Sequence, residues 1–435
     1  MANQDKAEEW IDRTNEALGE IGNGYELTPT LQHLYLTNNR ISKIEKLSPC
    51  LALRELVLRQ NSIKVIEGID ALEELEELDL YMNQIDHIPS DGFKKNSELK
   101  RLDLSFNDIR ELKGFPSNNL PNLEELYLIG NKIRIVSDLQ SMPKLIMLEL
   151  GDNRLRVIEN LDRLPSLQGL WLGRNKITRI EGLQKLTKLR RLSIQSNRIT
   201  CIEGLEHLEH LEELYLSHNG ITSMQGIQSL KNIQVLDLGV NFIEHIECIE
   251  NLSNLREFWI NGNKLSSFDE LNSLRSATRL ETVYLEANPL AKDPQYQAKA
   301  LEILPTSLEQ LDALLVDDAR KQIAAQSCRE DQAAVADKPE HAAEETVIAN
   351  AMGGNLTDGS RVIQIDGRLD RDSQNEVPGD EPSRDDTVET VPSRKVASEH
   401  TVTMAPDVKV SLSQSLEQGD ATRETQSQST THEIG

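Results

Sequence analysis

With 47 basic and 72 acidic side chains among 435 residues, the chain carries a formal charge of -25, which repels a phosphate backbone or an anionic lipid surface over most of its length. No run of about 18 apolar residues is long enough to span a bilayer, and no basic start with an apolar stretch marks a signal peptide. A soluble intracellular protein with a basic or uncharged partner is expected, and neither nucleic acid nor membrane.

The first element is residues 4 to 22, where Ala7, Trp10, Ile11, Leu18 and Ile21 fall on one stripe at helical spacing. That stripe predicts an amphipathic helix within a capping segment, residues 1–29.

From Leu31 the pattern L-x-x-L-x-L-x-x-N-x-I/L recurs twelve times, as in LQHLYLTNNRI, LEELDLYMNQI, LRRLSIQSNRI and LREFWINGNKL. Its asparagines are Asn39, Asn61, Asn83, Asn107, Asn131, Asn153, Asn175, Asn197, Asn219, Asn241, Asn263 and Asn288. Eight of the eleven steps are 22 residues long and the others are 24, 24 and 25. The L-x-L alternation makes a short strand with leucines inward. The asparagine ends it at a bend, where its amide both donates to and accepts from buried main chain. Apolar residues every three positions, such as Ile63, Ile66, Ile69, Leu72 and Leu75, suit a tight or extended return. One copy cannot close a core, so the copies must stack.

The fold class is therefore an α/β leucine-rich-repeat solenoid spanning residues 30–288, curved, with a parallel sheet on its concave face. The longer steps place extra residues near 89–96, 116–120 and 273–279, expected to bulge from the convex or edge side. Cys50 sits at a core step. Cys201, Cys248 and Cys328 have no paired metal-ligand spacing, so reduced thiols are expected. The glycines of the IEG motifs, Gly68, Gly182 and Gly204, are turn residues.

Residues 289–319 form the second cap. Asp293-Pro294 offers a helix start, Tyr296, Ala300, Leu301 and Leu304 follow, and Pro305 stops the helix. Residues 320–435 hold 22 acidic and 12 basic residues and no Phe, Tyr or Trp, a composition that predicts a disordered tail. Deleting them is expected to leave the melting temperature unchanged to within about a degree or two, because they add no core. A larger drop in a thermal melt would show that the tail docks on the repeats.

The position four before each asparagine lies in mid-strand and faces the concave, solvent side. It reads Tyr35, Val57, Asp79, Asp103, Tyr127, Glu149, Trp171, Ser193, Tyr215, Asp237, Trp259 and Tyr284. Six are aromatic in a chain that is 4% aromatic, and four are acidic. Strand propensity and ring stacking favour aromatics here too, but large rings interleaved with carboxylates point to anchors for a protein partner. Glu55, Glu77, Glu125, Glu213 and Glu257 lie two residues upstream and make the partner face basic. Carboxylates on an open sheet, with no nucleophile between them, do not make an acid-base centre. His207 and His210 have no third ligand in view. No catalytic, cofactor or metal site is expected.

The segments LRQNSIKVIEGI, IQSNRITCIEGL and REFWINGNKL, followed by LETVYLEANPLAKDPQY, closely resemble the leucine-rich-repeat regulatory subunits of type-1 protein phosphatase, over roughly residues 30 to 315. The resemblance implies a noncatalytic subunit, monomeric on its own, that clasps the phosphatase catalytic subunit in nucleus and cytoplasm and controls its maturation, location or substrate choice. Carried over by position, the partner-binding residues are Asp103, Tyr127, Glu149, Trp171, Asp237, Glu257, Trp259 and Tyr284. Tyr127 and Trp171 stand where the family usually has phenylalanine. A cytosolic or ciliary repeat adaptor with another partner is the alternative reading.

Overall fold

The structure, a computed structural model, describes residues 9–139, 142–323 and 325. Fifteen short strands among them form one sheet in strict chain order. Strand β1 is Trp10–Asp12. The twelve repeats supply β2 His33–Tyr35, β3 Glu55–Val57, β4 Glu77–Asp79, β5 Arg101–Asp103, β6 Glu125–Tyr127 and β7 Met147–Glu149. They continue with β8 Gly169–Trp171, β9 Arg191–Ser193, β10 Glu213–Tyr215, β11 Val235–Asp237, β12 Glu257–Trp259 and β13 Thr282–Tyr284. Strands β14 Gln310–Leu311 and β15 Leu314–Leu315 end the sheet as an antiparallel pair, and every other pairing is parallel. Among the described residues no helix is long and apolar enough to cross a membrane.

Register follows from the repeat. Each strand's middle residue pairs with its counterparts on both sides, as Leu148 does with Leu126 and Leu170, and these leucines are wholly buried. The first and third residues project on the outer face. Behind the sheet the return segments carry the three-residue apolar steps inward: Ile63, Ile66, Ile69, Leu72 and Leu75 are all buried. Tight turns shape them, with the Leu72 N–H donating to the Ile69 carbonyl at 3.0 Å and Leu75 to Leu72 at 3.3 Å. Gly68 has φ +71°, and a Cβ there would lie 2.0 Å from the Ile44 carbonyl oxygen, so only glycine fits.

Eleven of the twelve repeat asparagines couple neighbouring copies, and Asn39 couples the first copy to the N-terminal cap through the Arg13 carbonyl and the Leu18 N–H. In Asn175 the Nδ2 group donates to the Leu150 carbonyl of the preceding repeat at 2.9 Å and to Leu172 of its own at 3.1 Å. Its Oδ1 accepts the Leu155 N–H at 2.9 Å. At the far end Asp312 takes over as acceptor, receiving the Leu285 and Glu286 N–H groups at 2.7 and 2.9 Å and the Tyr296 hydroxyl at 2.7 Å.

Three expectations need correction. Residues 9–22 are not a helix: β1 pairs with β2, the Arg13 N–H donates to the Tyr35 carbonyl at 2.9 Å, and Leu18 donates to Asn39 Oδ1 at 2.9 Å. An exposed strand edge has unpaired main chain that another strand satisfies and a helix packed on it cannot. Ile11 and Ile21 still face the core; Ala7 lies outside the described residues. Second, the extra residues of the long steps do not simply bulge. Phe93 and Phe115 are buried, and Asn96 Nδ2 reaches the Ile69 and Leu72 carbonyls at 3.0 and 2.8 Å. The third long step forms a 3₁₀ helix, Phe268–Ser276, with Leu271 and Leu274 inward.

Third, the end-cap helix α1 spans Tyr296–Ile303, starting later than Asp293-Pro294. A 3₁₀ turn at Pro289–Lys292 precedes it, and Asp293 instead holds the entry, accepting the Gln295 N–H at 2.8 Å and Lys299 Nζ at 2.6 Å. Cys50 is wholly buried, as expected, and burial pushes its thiol up to about 11. Cys201 is exposed and Cys248 half-buried; all three are free. Residues 326–435, including Cys328, lie outside the described residues.

Candidate functional site: the outer face of the sheet

Twelve rigid strands present two parallel columns, the first and third strand residues. The third column holds the predicted aromatic and acidic row, but its members are not equally open. Tyr35, Tyr127, Glu149, Trp171, Tyr215, Trp259 and Tyr284 are part-exposed. Asp79, Asp103 and Asp237 are only 4–6% exposed, which corrects the expectation that the whole row faces solvent.

The reason is local. A short carboxylate at the end of a strand folds back onto the N–H two residues on: Asp79 accepts from Tyr81, Asp103 from Ser105 and Asp237 from Gly239, each at 2.9 Å. Glu149 accepts from Gly151 at 2.7 Å. These acids satisfy the bend before the ladder asparagine. Burial, with Asp103 next to it in register, raises the Asp79 carboxyl above its ordinary range.

Glu149 is strongly perturbed: burial pushes it up to about 8, against the opposing effect of the Gly151 N–H. A folded value above the unfolded one means the stabilisation is complete below about pH 4.5 and is lost as pH rises through about 8. Glu149→Gln keeps an acceptor and removes the charge. It is therefore expected to melt like the parent at pH 4.5 and to gain about 1 to 3 kcal/mol over it at pH 9. Identical pH profiles for the two proteins would show that Glu149 titrates normally.

The first column is a charge ladder. Tyrosine hydroxyls in the third column donate back to its glutamates: Tyr35 to Glu55 at 2.5 Å, Tyr127 to Glu125 at 2.8 Å and Tyr215 to Glu213 at 3.1 Å. Burial and these carboxylates hold Tyr127 and Tyr215 protonated well above the usual phenol range. Burial first, then Glu213 and Glu281, raises Glu257.

Sequence reasoning passed over Arg101 and Arg191 in this same column. Arg101 bridges Glu77 at 3.3 Å and Glu125 at 3.2 Å and lies 4.7 Å over the Tyr127 ring; Arg191 holds Glu213 at 2.8 Å. Reading the first strand residues down the repeats would have found both. Glu125 and Glu213 are thus already paired, which lowers the negative potential of the face without removing it.

Ring contacts group the row. Trp259 and Tyr284 meet edge to face with centroids 5.6 Å apart, and Gln310 Nε2 donates to the Tyr284 hydroxyl at 2.7 Å. At the other end Trp10, more than half exposed, packs 5.6 Å from Tyr35 and extends the row by one strand. Trp171 has no such ring neighbour among the described pairs and lies across Gly169. The structure thus places Tyr127, Glu149 and Trp171 on three adjacent strands and Asp237, Glu257, Trp259 and Tyr284 on another three, with Asp103 beside the first group. His207 and His210 are exposed, away from this face.

A fifteen-strand sheet held by an asparagine ladder is a leucine-rich-repeat architecture, and family comparison agrees. The leucine-rich-repeat model matches residues 29–85, 52–109, 73–133 and 97–155, and the two-copy leucine-rich-repeat model matches 143–185, 165–207 and 209–254. Together they cover more than half of the chain, which belongs to the leucine-rich-repeat family. Among curated proteins it is 39% identical, over 143 residues, to the protein phosphatase 1 regulatory inhibitor subunit PPP1R7 homolog of Arabidopsis thaliana, covering 32% of this chain and 43% of that one. It is 54% identical over 52 residues to human protein phosphatase 1 regulatory subunit 7, covering 12% and 14%. The matched segments thus span less than half of either relative.

Among solved structures, a leucine-rich-repeat protein of Leptospira interrogans superposes with a TM-score of 0.53 at 26% identity over 65% of this chain and 78% of that one. An internalin of Listeria monocytogenes gives 0.51 at 24%, over 64% and 86%, a likeness of fold alone.

Proposed function

We propose that the chain is a noncatalytic regulatory subunit that binds the catalytic subunit of type-1 protein phosphatase on the concave, outer face of its sheet. The carrying observation is the row of large rings and carboxylates fixed on rigid strands. It coincides with the positions at which the resemblance to phosphatase regulatory subunits puts the contacts: Asp103, Tyr127, Glu149, Trp171, Asp237, Glu257, Trp259 and Tyr284. Rings held by packing lose little freedom on binding, and anchors of this type dominate protein interfaces. The nearly buried aspartates contribute charge rather than contact area. The subunit acts as a monomer in nucleus and cytoplasm, and its effect is on the maturation, location or substrate choice of the enzyme it holds.

Purified protein mixed with the type-1 catalytic subunit is expected to form a one-to-one complex by size-exclusion chromatography, and to hydrolyse no phosphopeptide on its own. Phosphatase activity that survives removal of contaminating enzyme would sink the noncatalytic part. Absence of a complex would leave the same face to another partner, as in a cytosolic or ciliary adaptor.

A further inference from the structure

Eleven of the twelve repeat strands begin with a residue that has a side chain, and β8 begins with Gly169. A glycine inside a strand weakens it, and Gly169 is not among the residues with positive φ, so the backbone does not require it. Space does: a Cβ there would lie 2.3 Å from Cζ3 and Cη2 of Trp171. The indole therefore lies back along its own strand over bare main chain, whereas Trp259, four strands on, leans across to Tyr284. The neighbouring third-column residue on β9 is Ser193, small and buried.

On the Gly169 side of the ring the sheet face has a notch of about 190 Å³, lined by Met147, Gly169 and Trp171 with Glu125, Arg190 and Arg191 at its rim. Every charge on that rim already has an opposite partner. Arg190 holds Glu212 through two nitrogens at 2.8–3.1 Å, Arg191 holds Glu213 at 2.8 Å, and Glu125 takes the Tyr127 hydroxyl and Arg101. A charged occupant would give up water without gaining an unpaired counter-charge, whereas an uncharged one displaces water from a ring and a thioether.

We infer that this notch receives a large apolar side chain of the bound partner, of the Leu, Met or Phe class, and that Gly169 is a specificity-determining residue because it keeps the notch open. The inference rests on the phosphatase-subunit reading above. A buried apolar anchor within a paired polar rim is the arrangement that concentrates binding energy at the centre of an interface.

The test uses the full chain and the type-1 catalytic subunit in calorimetric titrations, with thermal melts alongside. Gly169→Val fills the notch and displaces the ring, and is expected to weaken binding by about tenfold or more while the melt stays within a few degrees. Thr282→Val, at the equivalent position on β13, is expected to bind as the parent does. A photo-crosslinker at Met147 reads the occupant directly, and an adduct on an apolar residue of the partner is expected. Parental binding by Gly169→Val, or an adduct centred on a charged residue, would overturn the notch while leaving the proposed function standing. No binding by the unaltered chain overturns the proposed function and this inference with it.

Discussion

Asn153→Ala is expected to lower stability by about 2 to 4 kcal/mol, a large effect for a single change outside the leucine core. The side chain is almost wholly buried, donates to the Leu128 carbonyl at 2.9 Å and the Leu150 carbonyl at 3.1 Å, and accepts the Ile133 N–H at 3.0 Å. Alanine leaves the Ile133 N–H of the preceding repeat buried without its acceptor, which costs about 1 to 3 kcal/mol, and takes one of two donors from the Leu128 and Leu150 carbonyls, which keep Asn131 and Asn175. Asn153→Asp keeps the shape and one acceptor but loses the donor, so it should be nearly as harmful. Asn122→Ala, which removes an exposed bond to the Ser97 carbonyl, should fall within about 1 kcal/mol of the parent. Denaturant melts decide the matter: if Asn153→Ala and Asn122→Ala unfold together, the ladder is ornamental and packing alone holds the stack.

The second large effect is on binding. Trp171→Ala is expected to weaken the complex with the type-1 catalytic subunit by about 2 kcal/mol or more, because it removes a rigid anchor that a partner would desolvate. Its melt should change little, since the ring is part-exposed and lies over the main chain of Gly169. Leu170→Ala, one residue away and wholly buried, should do the reverse, costing about 2 to 5 kcal/mol of stability. Trp259→Ala is less clean, because that ring also packs on Tyr284, a contact worth about 0.5 to 1.5 kcal/mol to the fold. Calorimetry on the three variants separates the roles. Normal binding with an early melt in Trp171→Ala would make the ring a packing residue and misplace the binding face.

The repeat was legible because period and chemistry agree in it: leucines two apart demand a strand, and an asparagine at a fixed offset demands main-chain partners. What escaped depended on neighbours distant in sequence. The stripe through Ile11, Leu18 and Ile21 suits a helix, yet the open edge of β2 needed a strand, and nothing local to residues 9–22 records that need. Phe93 and Phe115 are apolar residues in loop-like stretches, and only the stacked structure shows a gap for them. Alternation correctly sent Asp103 and Asp237 to the outer face but is silent on whether a carboxylate reaches outward or turns back to an N–H. Gly169 was visible in the sequence, but its meaning depends on where the indole two residues later lies.

The ladder has one more consequence, for spacing. Because each asparagine clamps its repeat to the one before it, the strands keep a fixed pitch of about 4.8 Å. Trp171 and Trp259 are four strands apart, so their main chains are held roughly 19 Å from each other. The face is in effect a molecular ruler whose graduations are repeats. Cutting out one whole 22-residue copy between them would preserve every clamp and the core, yet shorten the ruler by one graduation. A partner that needs both marks at once would then reject a protein that folds as well as its parent.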